Sequence, residues 1–155
     1  MMQNKNLLLE EDVLLNCKCR SKEEVMDCLA ELLRKNHGIG NTERLKEEIW
    51  KRERMGYTGL GNHIALAHGE SELVNEIVTA CISLEEYVDW APGESYPELY
   101  KMVKLVFLFV LPKEETCQGT GMLKDMVLKL GRKECVRDLM NAKDSYGVIQ
   151  IFKKV

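Results

Sequence analysis

The residues of this chain with the clearest capacity for chemistry are His68 and the glycine-rich segment before it. Residues 56–62 form a polar loop with three glycines, and the apolar run Ile64–Ala67 that follows predicts a short buried strand. His68 and then Gly69 come directly after that run, so the imidazole is expected at a strand end, beside a flexible turn. Strand ends and the loops after them commonly hold binding and catalytic residues. Because a neutral imidazole is nucleophilic near pH 7, His68 is the first candidate for a reactive group.

The alternatives for this stretch are a structural histidine, a metal site and a nucleotide loop. A single histidine on an apolar segment is more often structural than catalytic. His63 lies five residues from His68, which would put the two side chains on opposite faces of a strand, and no third ligand is near in sequence. Gly59 and Gly61 lack the third glycine of a dinucleotide loop and precede a predicted strand. No C-x-x-C pair exists, so a zinc site is not expected. We expect neither a metal nor a cofactor.

Composition is that of an ordinary globular protein. The 155 residues are 45% hydrophobic and 30% charged, and we expect a single domain over residues 1–155. The net charge of −3 argues against a nucleic-acid partner. No signal peptide and no apolar stretch of roughly 20 residues is recognised, so a cytoplasmic protein without direct membrane insertion is expected. The cysteines are expected to be reduced, mostly buried thiols: Cys17, Cys19, Cys28, Cys81, Cys117 and Cys135.

Periodicity and capping signals predict strands and helices that could position these residues. Ser21 and Glu24 form a capping box that opens a helix, and Thr42 is predicted to cap the next one. The strongly apolar run before Pro112 predicts the central strand. The predicted strands are 12–17, 64–67, 76–82 and 101–111, a polar loop is predicted at 69–73, and the predicted helices are 21–37, 42–54, 122–130, 136–140 and 148–152. Strands alternating with helices indicate an α/β sandwich with helices on both faces.

Several separated segments carry a resemblance to a known family. They are 21–25 (Ser-Lys-Glu-Glu-Val), Arg52-Glu53, the loop 56–62, the run 64–69 (Ile-Ala-Leu-Ala-His-Gly), Trp90, and the strand 103–112. Their order and spacing, over residues 8–152, resemble the enzyme IIA domain of the bacterial sugar phosphotransferase system, fructose/mannitol type. That family also includes the nitrogen-regulatory IIA proteins.

The resemblance implies a mixed central β-sheet flanked by helices on both faces. It also implies a histidine that accepts a phosphoryl group from HPr and passes it to an enzyme IIB domain. His68 matches the family's phosphorylated histidine, and Arg52 matches its phosphate-binding arginine. The further residues expected at the phosphate pocket are Thr58, Gly59, Asn62 and His63.

Elementary chemistry is consistent with those implied roles. A neutral imidazole nitrogen can accept a phosphoryl group, and the resulting phosphoramidate is labile enough to pass it on. Charge develops on the oxygens of the transferring group, and an arginine offers a planar fork of donors for it. Backbone N–H groups of a glycine-rich loop and a threonine hydroxyl can add further donors.

The sequence departs from the family pattern at three places. Ala67 stands where a proline commonly precedes the histidine, Glu70 adds negative charge beside the site, and residues 119–123 lack the second histidine of many transport members. Two functions therefore stay open: a phosphocarrier in sugar uptake, and a regulatory or degenerate IIA module that controls a partner. In either case proteins are expected to dock on a shallow surface around His68. The candidate rim residues are Tyr57, Leu60, His63 and Glu70.

Overall fold

The computed structural model describes residues 8–91, 93, 95–114 and 116–153, and of residues 116–118 and 153 the backbone only. A short 3-10 helix, Glu10–Asp12, precedes the first strand. The strands are β1 (Val13–Cys17), β2 (Gly59–Gly61), β3 (Ile64–Ser71), β4 (Val78–Asp89) and β5 (Met102–Pro112). The helices are α1 (Lys22–His37), α2 (Thr42–Met55), α3 (Glu98–Lys101), α4 (Thr116–Leu130), α5 (Lys133–Met140) and α6 (Ser145–Lys153).

The described strands form a single mixed sheet with the order β1-β4-β5-β3-β2. The pairs β1/β4 and β3/β5 are parallel, whereas β4/β5 and β2/β3 are antiparallel. The register of the central parallel pair runs unbroken from Ile64 opposite Leu105 to Ser71 opposite Pro112. The expected mixed sheet is thus confirmed.

Helices cover both faces of the sheet, as predicted. Side chains alternate along β5, so Val106 and Leu108 pack in the core beneath α1 and α2, whereas Phe107 and Phe109 pack in the core beneath α4–α6. All four are fully buried. Burial on both faces explains why β5 is an almost continuous apolar run instead of an alternating one. Within the described residues, no helix combines the length and apolar character needed to cross a membrane.

The boundaries of α1 and α2 follow their capping signals closely. The Ser21 hydroxyl accepts a hydrogen bond from the Glu24 amide at 3.1 Å, which confirms Ser21 as the N-cap. The Glu24 carboxylate accepts from the Arg20 amide at 3.0 Å, one residue before the position that a capping box requires. Gly38 ends α1 in the left-handed conformation with φ 66°, where glycine has no steric penalty. The cap of α2 was placed one residue too late, because the Asn41 side chain, not that of Thr42, accepts from the Arg44 amide at 3.1 Å.

Two strands, β3 and β4, continue well past their predicted ends, and both extensions come from pairing with β5. β3 continues to Ser71, so the predicted loop at 69–73 is wrong for its first three residues and His68 lies inside the strand. Ladder pairing with β5 extends the strand through Gly69, where the α2 backbone passes so closely that a Cβ would lie 3.4 Å from the Glu48 carbonyl oxygen. β4 likewise runs to Asp89, seven residues past the predicted end.

Candidate functional site

Strand β3 presents His68 half-buried, with both ring nitrogens engaged. Nδ1 lies 3.1 Å from the Leu66 carbonyl oxygen, and Nε2 lies 2.9 Å from Arg52 Nε. A carbonyl oxygen can only accept and an arginine N–H can only donate, so the proton sits on Nδ1 and the lone pair on Nε2. The ring is therefore held in the tautomer that makes Nε2 the nucleophile.

Helix α2 brings the guanidinium of Arg52 to this ring. Arg52 lies in the last turn of α2, and its Nη1 donates to the Gly56 carbonyl oxygen at 3.2 Å, which fixes the side chain at the helix end. These contacts use two of its five N–H groups. The remaining donors of the fork suit an anion placed beside Nε2 of His68.

The surroundings of His68 favour a neutral ring. Burial is the main cause that lowers its pKa, and the positive charge of Arg52 lowers it further. The Leu66 carbonyl and the carboxylate of Glu53 act in the opposite direction and do not reverse the shift. An unprotonated imidazole at neutral pH is the form that can attack phosphorus, so the environment and the tautomer agree.

Behind Arg52 lies a buried polar network centred on the next residue, Glu53. Its carboxylate accepts a hydrogen bond from Lys22 Nζ at 2.7 Å and another from the Thr58 hydroxyl. The Thr58 oxygen in turn accepts from the Trp90 indole N–H at 2.9 Å, and Lys22 also donates to the Trp90 carbonyl at 2.9 Å. The network therefore ties α1, the end of α2, the glycine-rich loop and the end of β4 together.

Thr58 and Gly59 shape the loop beside His68. The hydroxyl of Thr58 is committed to Glu53 and Trp90, and its carbonyl accepts from the Leu66 amide at 3.0 Å, so this residue holds the loop against β3. The Tyr57 ring occupies the space that a Cβ on Gly59 would need. The predicted phosphate contacts of Thr58 and Gly59 stay predictions, and this geometry gives both residues a positioning role.

Asn62 and His63 are not brought to His68. They form the turn between β2 and β3 with left-handed φ values of 54° and 63°. His63 Nδ1 lies 2.8 Å from the Met102 carbonyl oxygen, and its ring meets that of Tyr87 edge-on at 4.7 Å. Both residues line a cavity of about 370 Å³ at the start of β3. Since His63 precedes His68 by five residues of extended chain, roughly 16 Å of strand separates them.

The sequence reasoning did not assign a role to the network residues Lys22, Glu53 and Trp90. A signal for Glu53 was present. Leu45 and Ile49 are the buried apolar residues of α2, and Glu53 follows them at the same four-residue spacing. It therefore had to lie on the helix face that points to the core. An acidic residue on such a stripe requires buried partners.

The predicted rim is divided between two places. Tyr57 stacks on Tyr96 with ring centroids 4.2 Å apart, and Glu70 is exposed two residues after His68. Leu60 instead packs partly against the core under α4–α6, and His63 lies at the far end of β3. Met55, which was not predicted, follows Arg52 by three residues and is 77% exposed, so it offers an apolar contact near the site.

Comparisons with known proteins agree with this geometry. The family model described as "Phosphoenolpyruvate-dependent sugar phosphotransferase system, EIIA 2" matches residues 6–155. The 2-O-alpha-mannosyl-D-glycerate-specific EIIABC component of the phosphotransferase system of Escherichia coli K12 is 35% identical over 116 residues, or 74% of this chain. The matched segment spans only 17% of that longer protein.

Two solved structures show the same fold. The nitrogen regulatory protein IIA-Ntr from Neisseria meningitidis superposes with a TM-score of 0.82 at 26% identity, covering 94% of this chain and 95% of its own. Mannitol IIA of Escherichia coli, in its complex with phosphorylated IIB, gives a TM-score of 0.75 at 20% identity, covering 96% and 100%. Taken with the family match over nearly all of the sequence, they confirm the resemblance: the chain belongs to the type 2 EIIA family of the phosphoenolpyruvate-dependent sugar phosphotransferase system.

Proposed function

We propose that this protein is a phosphoryl carrier that accepts a phosphoryl group on Nε2 of His68 from phosphorylated HPr and passes it to an enzyme IIB domain. Members of the family act as phosphotransfer proteins, and the observation that carries the proposal for this chain is the contact between Arg52 Nε and His68 Nε2 at 2.9 Å. It joins the two functions that such a transfer requires, a nucleophile and a positive charge for the transferred group.

The chemistry of the step follows from the tautomer. The Nε2 lone pair attacks phosphorus, and the bond between phosphorus and the donor breaks as the new P–N bond forms. Arg52 must then release its hydrogen bond to Nε2, and the same N–H can turn to an oxygen of the incoming group. The ring becomes positively charged, and the Leu66 carbonyl, already 3.1 Å from Nδ1, stabilises that charge through the Nδ1 proton.

The buried network positions the arginine. Glu53 follows Arg52 on α2 and is held from three sides by Lys22, Thr58 and, through Thr58, Trp90. A fixed helix end keeps the guanidinium at the ring before the donor arrives, so less ordering remains to be done during transfer. His68 itself is partly exposed, as a residue that must meet two proteins in turn has to be.

The IIB partner has support from the fold comparison, since the mannitol IIA structure of the same fold was determined as a complex with phosphorylated IIB. Exposed Met55 and the Tyr57–Tyr96 stack give the proposed docking surface its apolar contacts. In this role the IIA domain acts in the cytoplasm.

The test is to incubate the protein with phosphoenolpyruvate, enzyme I and HPr and to measure its intact mass. We expect a gain of one phosphoryl group that is labile in acid and stable in alkali, and loss of that gain when a IIB domain is added. An unchanged mass, with HPr shown to be phosphorylated in the same tube, would contradict the proposal.

A regulatory role is the second candidate, and the likeness to the nitrogen regulatory protein of Neisseria meningitidis favours it. So do the exposed carboxylate of Glu70 and the lack of a second histidine in residues 119–123. The onward step separates the two candidates. A carrier loses its phosphoryl group to IIB domains, whereas a regulatory module keeps it when a panel of IIB domains is offered.

A further inference from the structure

The cavity of about 370 Å³ at the start of β3 is a second place where polar and apolar groups converge. Residues of β1, β4, β5 and α5 and of the turn before β3 line it, and its volume is that of a small-molecule pocket. Buried apolar side chains such as Leu105 and Leu139 contribute to the lining, and so does the partly exposed Lys104. The described lining includes neither hydrogen-bond partner of His68, so the cavity is separate from the phosphoryl-transfer site.

An irregularity in β5 brings Lys104 to this cavity. Regular alternation would place residues 103 and 105 on one face of the sheet, yet Val103 packs in the core beneath α1 and α2 and Leu105 in the core beneath α4–α6. The amides of Lys104 and Leu105 both donate to the His63 carbonyl oxygen, at 2.8 and 3.2 Å, so two residues of β5 oppose one residue, as in a β-bulge. Lys104 and Leu105 therefore line the same cavity. Bulges commonly redirect a side chain next to a functional site.

The backbone around the cavity is irregular at other positions too. Within the described residues, the non-glycine residues with left-handed φ are Asn16, Asn62 and His63, at 57°, 54° and 63°, and all three line the cavity. Asn16 lies where the register of β1 and β4 shifts, and Tyr87 lies where that of β4 and β5 shifts. The Asn16 amide donates to Ser83 Oγ at 2.7 Å, which holds this conformation in place. Residues in sparsely populated backbone conformations cost free energy and are concentrated at functional sites.

The electrostatics of the cavity favour an anion. Lys104 Nζ lies 5.0 Å from the centre of the Tyr87 ring, and the His63 ring meets the same tyrosine edge-on at 4.7 Å. No carboxylate of the described residues forms an ion pair with Lys104, and no acidic residue is among those that line the cavity. An aromatic face attracts the positive charge but accepts no ordinary hydrogen bond from the ammonium group. Lys104 is therefore able to donate to a negatively charged group inside the cavity.

We propose that this cavity binds a small organic monocarboxylate, whose carboxylate pairs with Lys104 and whose apolar body contacts Leu105 and Leu139. A single lysine matches a single negative charge. Proteins often bind phosphate groups through the planar fork of an arginine, and no arginine lines the cavity within the described residues. The apolar side chains contribute affinity because the ligand body leaves water when it contacts them. The proposal goes beyond phosphoryl transfer, and it is tested by binding measurements that do not depend on that function.

The first experiment titrates the ¹⁵N-labelled full-length protein with phenylacetate, hexanoate and indole-3-acetate at constant ionic strength and follows the backbone amide signals by NMR. We expect at least one of these monocarboxylates to shift the signals of His63, Lys104 and Leu139 and to leave that of Gly69, next to His68, unchanged. The neutral amide of the same compound should bind about fivefold more weakly, because it cannot form the ion pair. Inorganic phosphate should leave the cavity signals unchanged. Absence of a shift with all three monocarboxylates, or equal shifts with inorganic phosphate, would overturn the proposal.

Matched variants separate the role of the charge from that of the space. Lys104→Met keeps an apolar stem and removes the charge, so it should weaken carboxylate binding about fivefold and leave binding of the neutral amide unchanged. Lys133→Met makes the same change at an exposed position of α5 outside the cavity and should bind both compounds as the parent does.

A variant that fills the cavity completes the test. Val136 lines the cavity and is partly exposed, so Val136→Phe should fold and should weaken the carboxylate and the neutral amide alike. If Val136→Phe does not fold, Ala142→Leu, at another partly exposed lining residue, replaces it. Equal carboxylate affinity in Lys104→Met and Lys133→Met, or parental affinity in the folded filling variant, would show that the ligand does not occupy this cavity as proposed.

Discussion

The two helical layers that cover the sheet differ in what they bury. Beneath α1 and α2 the core includes the charged pair Lys22–Glu53, the Thr58 hydroxyl and the Trp90 indole N–H alongside its apolar residues. Beneath α4–α6 the core is mainly apolar, with contacts such as the edge-to-face pair of Phe107 and Phe152 at 5.2 Å, although the buried Thr79 pairs with Phe109 on this side. The face with the buried charges is also the one whose helix carries Arg52.

This difference shows on which face buried polar groups, which lower stability unless they are paired, position the site. A buried polar group costs free energy unless it finds partners, and in the described part of the chain every buried side-chain nitrogen and oxygen has one. An apolar residue in place of Glu53 would pack as the opposite face does, but it would release the loop and the helix end that hold Arg52. We therefore expect changes on the α1–α2 face to affect transfer and changes on the other face to affect stability alone.

The largest expected effect is on His68. His68→Ala should abolish phosphorylation by phosphoenolpyruvate, enzyme I and HPr, because the only proposed nucleophile is removed. His63→Ala, at the other end of β3, and His37→Ala, whose imidazole contacts Asp12 at 2.8 Å, should still gain the phosphoryl group. Intact mass decides the matter, and phosphorylation of His68→Ala at the parent rate would refute the assignment.

Two core variants, one beneath each helical layer, test whether the two faces of the sheet have different roles. Glu53→Ala leaves Lys22 as an unpaired charge with 11% of its side chain exposed, and should lower the free energy of unfolding by about 3–5 kcal/mol. Phe107→Ala should cost about the same through its cavity. Denaturant unfolding measures both losses.

Transfer rates then separate the two core variants, measured under conditions where each is folded. Glu53→Ala should also slow phosphorylation, whereas Phe107→Ala should not. Exposed Glu47 on the same helix is the control, and Glu47→Ala should change stability by less than about 0.5 kcal/mol. Equal transfer by Glu53→Ala and Phe107→Ala would show that the network only stabilises the fold.

Arg52→Ala should lower the phosphorylation rate strongly and the stability only slightly. Removing one preorganised donor for developing charge slows enzymes by about 10²–10³-fold, and we expect a loss of that order in the phosphorylation rate. A partly exposed arginine contributes little to folding, so stability should fall by about 1 kcal/mol or less. Exposed Arg54 offers the matched control, Arg54→Ala. A rate loss no greater than that of the control would mean that Arg52 does not act on the transferred group.

The pKa of His68 provides a smaller test of the same environment. Burial lowers it, so the imidazole should titrate below the ordinary value of 6.5, as followed by the ring proton signals in NMR. The folded protein then binds fewer protons than the unfolded chain, so stability from this site falls as the pH decreases from about 6.5 to the folded pKa, and is unchanged above that window. A midpoint at or above 6.5 would contradict a neutral, buried ring.

The smallest expected effect is that of Glu70. This exposed carboxylate should weaken docking of the phosphorylated donor by less than about 1 kcal/mol, because water and salt screen it. Glu70→Lys should then speed phosphorylation at low ionic strength, and the gain should shrink as salt is added. Glu134→Lys on α5 makes the same charge change on the other face and should have no effect. If the phosphorylation rate of Glu70→Lys is equal to or below that of the parent protein, the carboxylate of Glu70 does not slow phosphorylation.

Much of the architecture was determined by local sequence. The apolar run 103–111 indicated the central strand because burial on both faces leaves no polar alternation. Ser21 marked the start of α1 because its hydroxyl accepts from the Glu24 amide in the first turn. The order and spacing of the segments around Arg52 and His68 indicated the family. These features depend on neighbours in the chain, which a single sequence displays.

The site itself was decided by contacts between distant segments. The tautomer of His68 depends on a carbonyl two residues away and a guanidinium from another element, and no spacing predicts the direction of either. The Thr58 hydroxyl points inward because it bonds to both Glu53 and Trp90. Strand β3 extends beyond Gly69 because β5 pairs with its backbone there. Sequence periodicity specifies which face of an element is buried, whereas hydrogen-bond direction is settled only when the packed elements fix which donors and acceptors can reach each other.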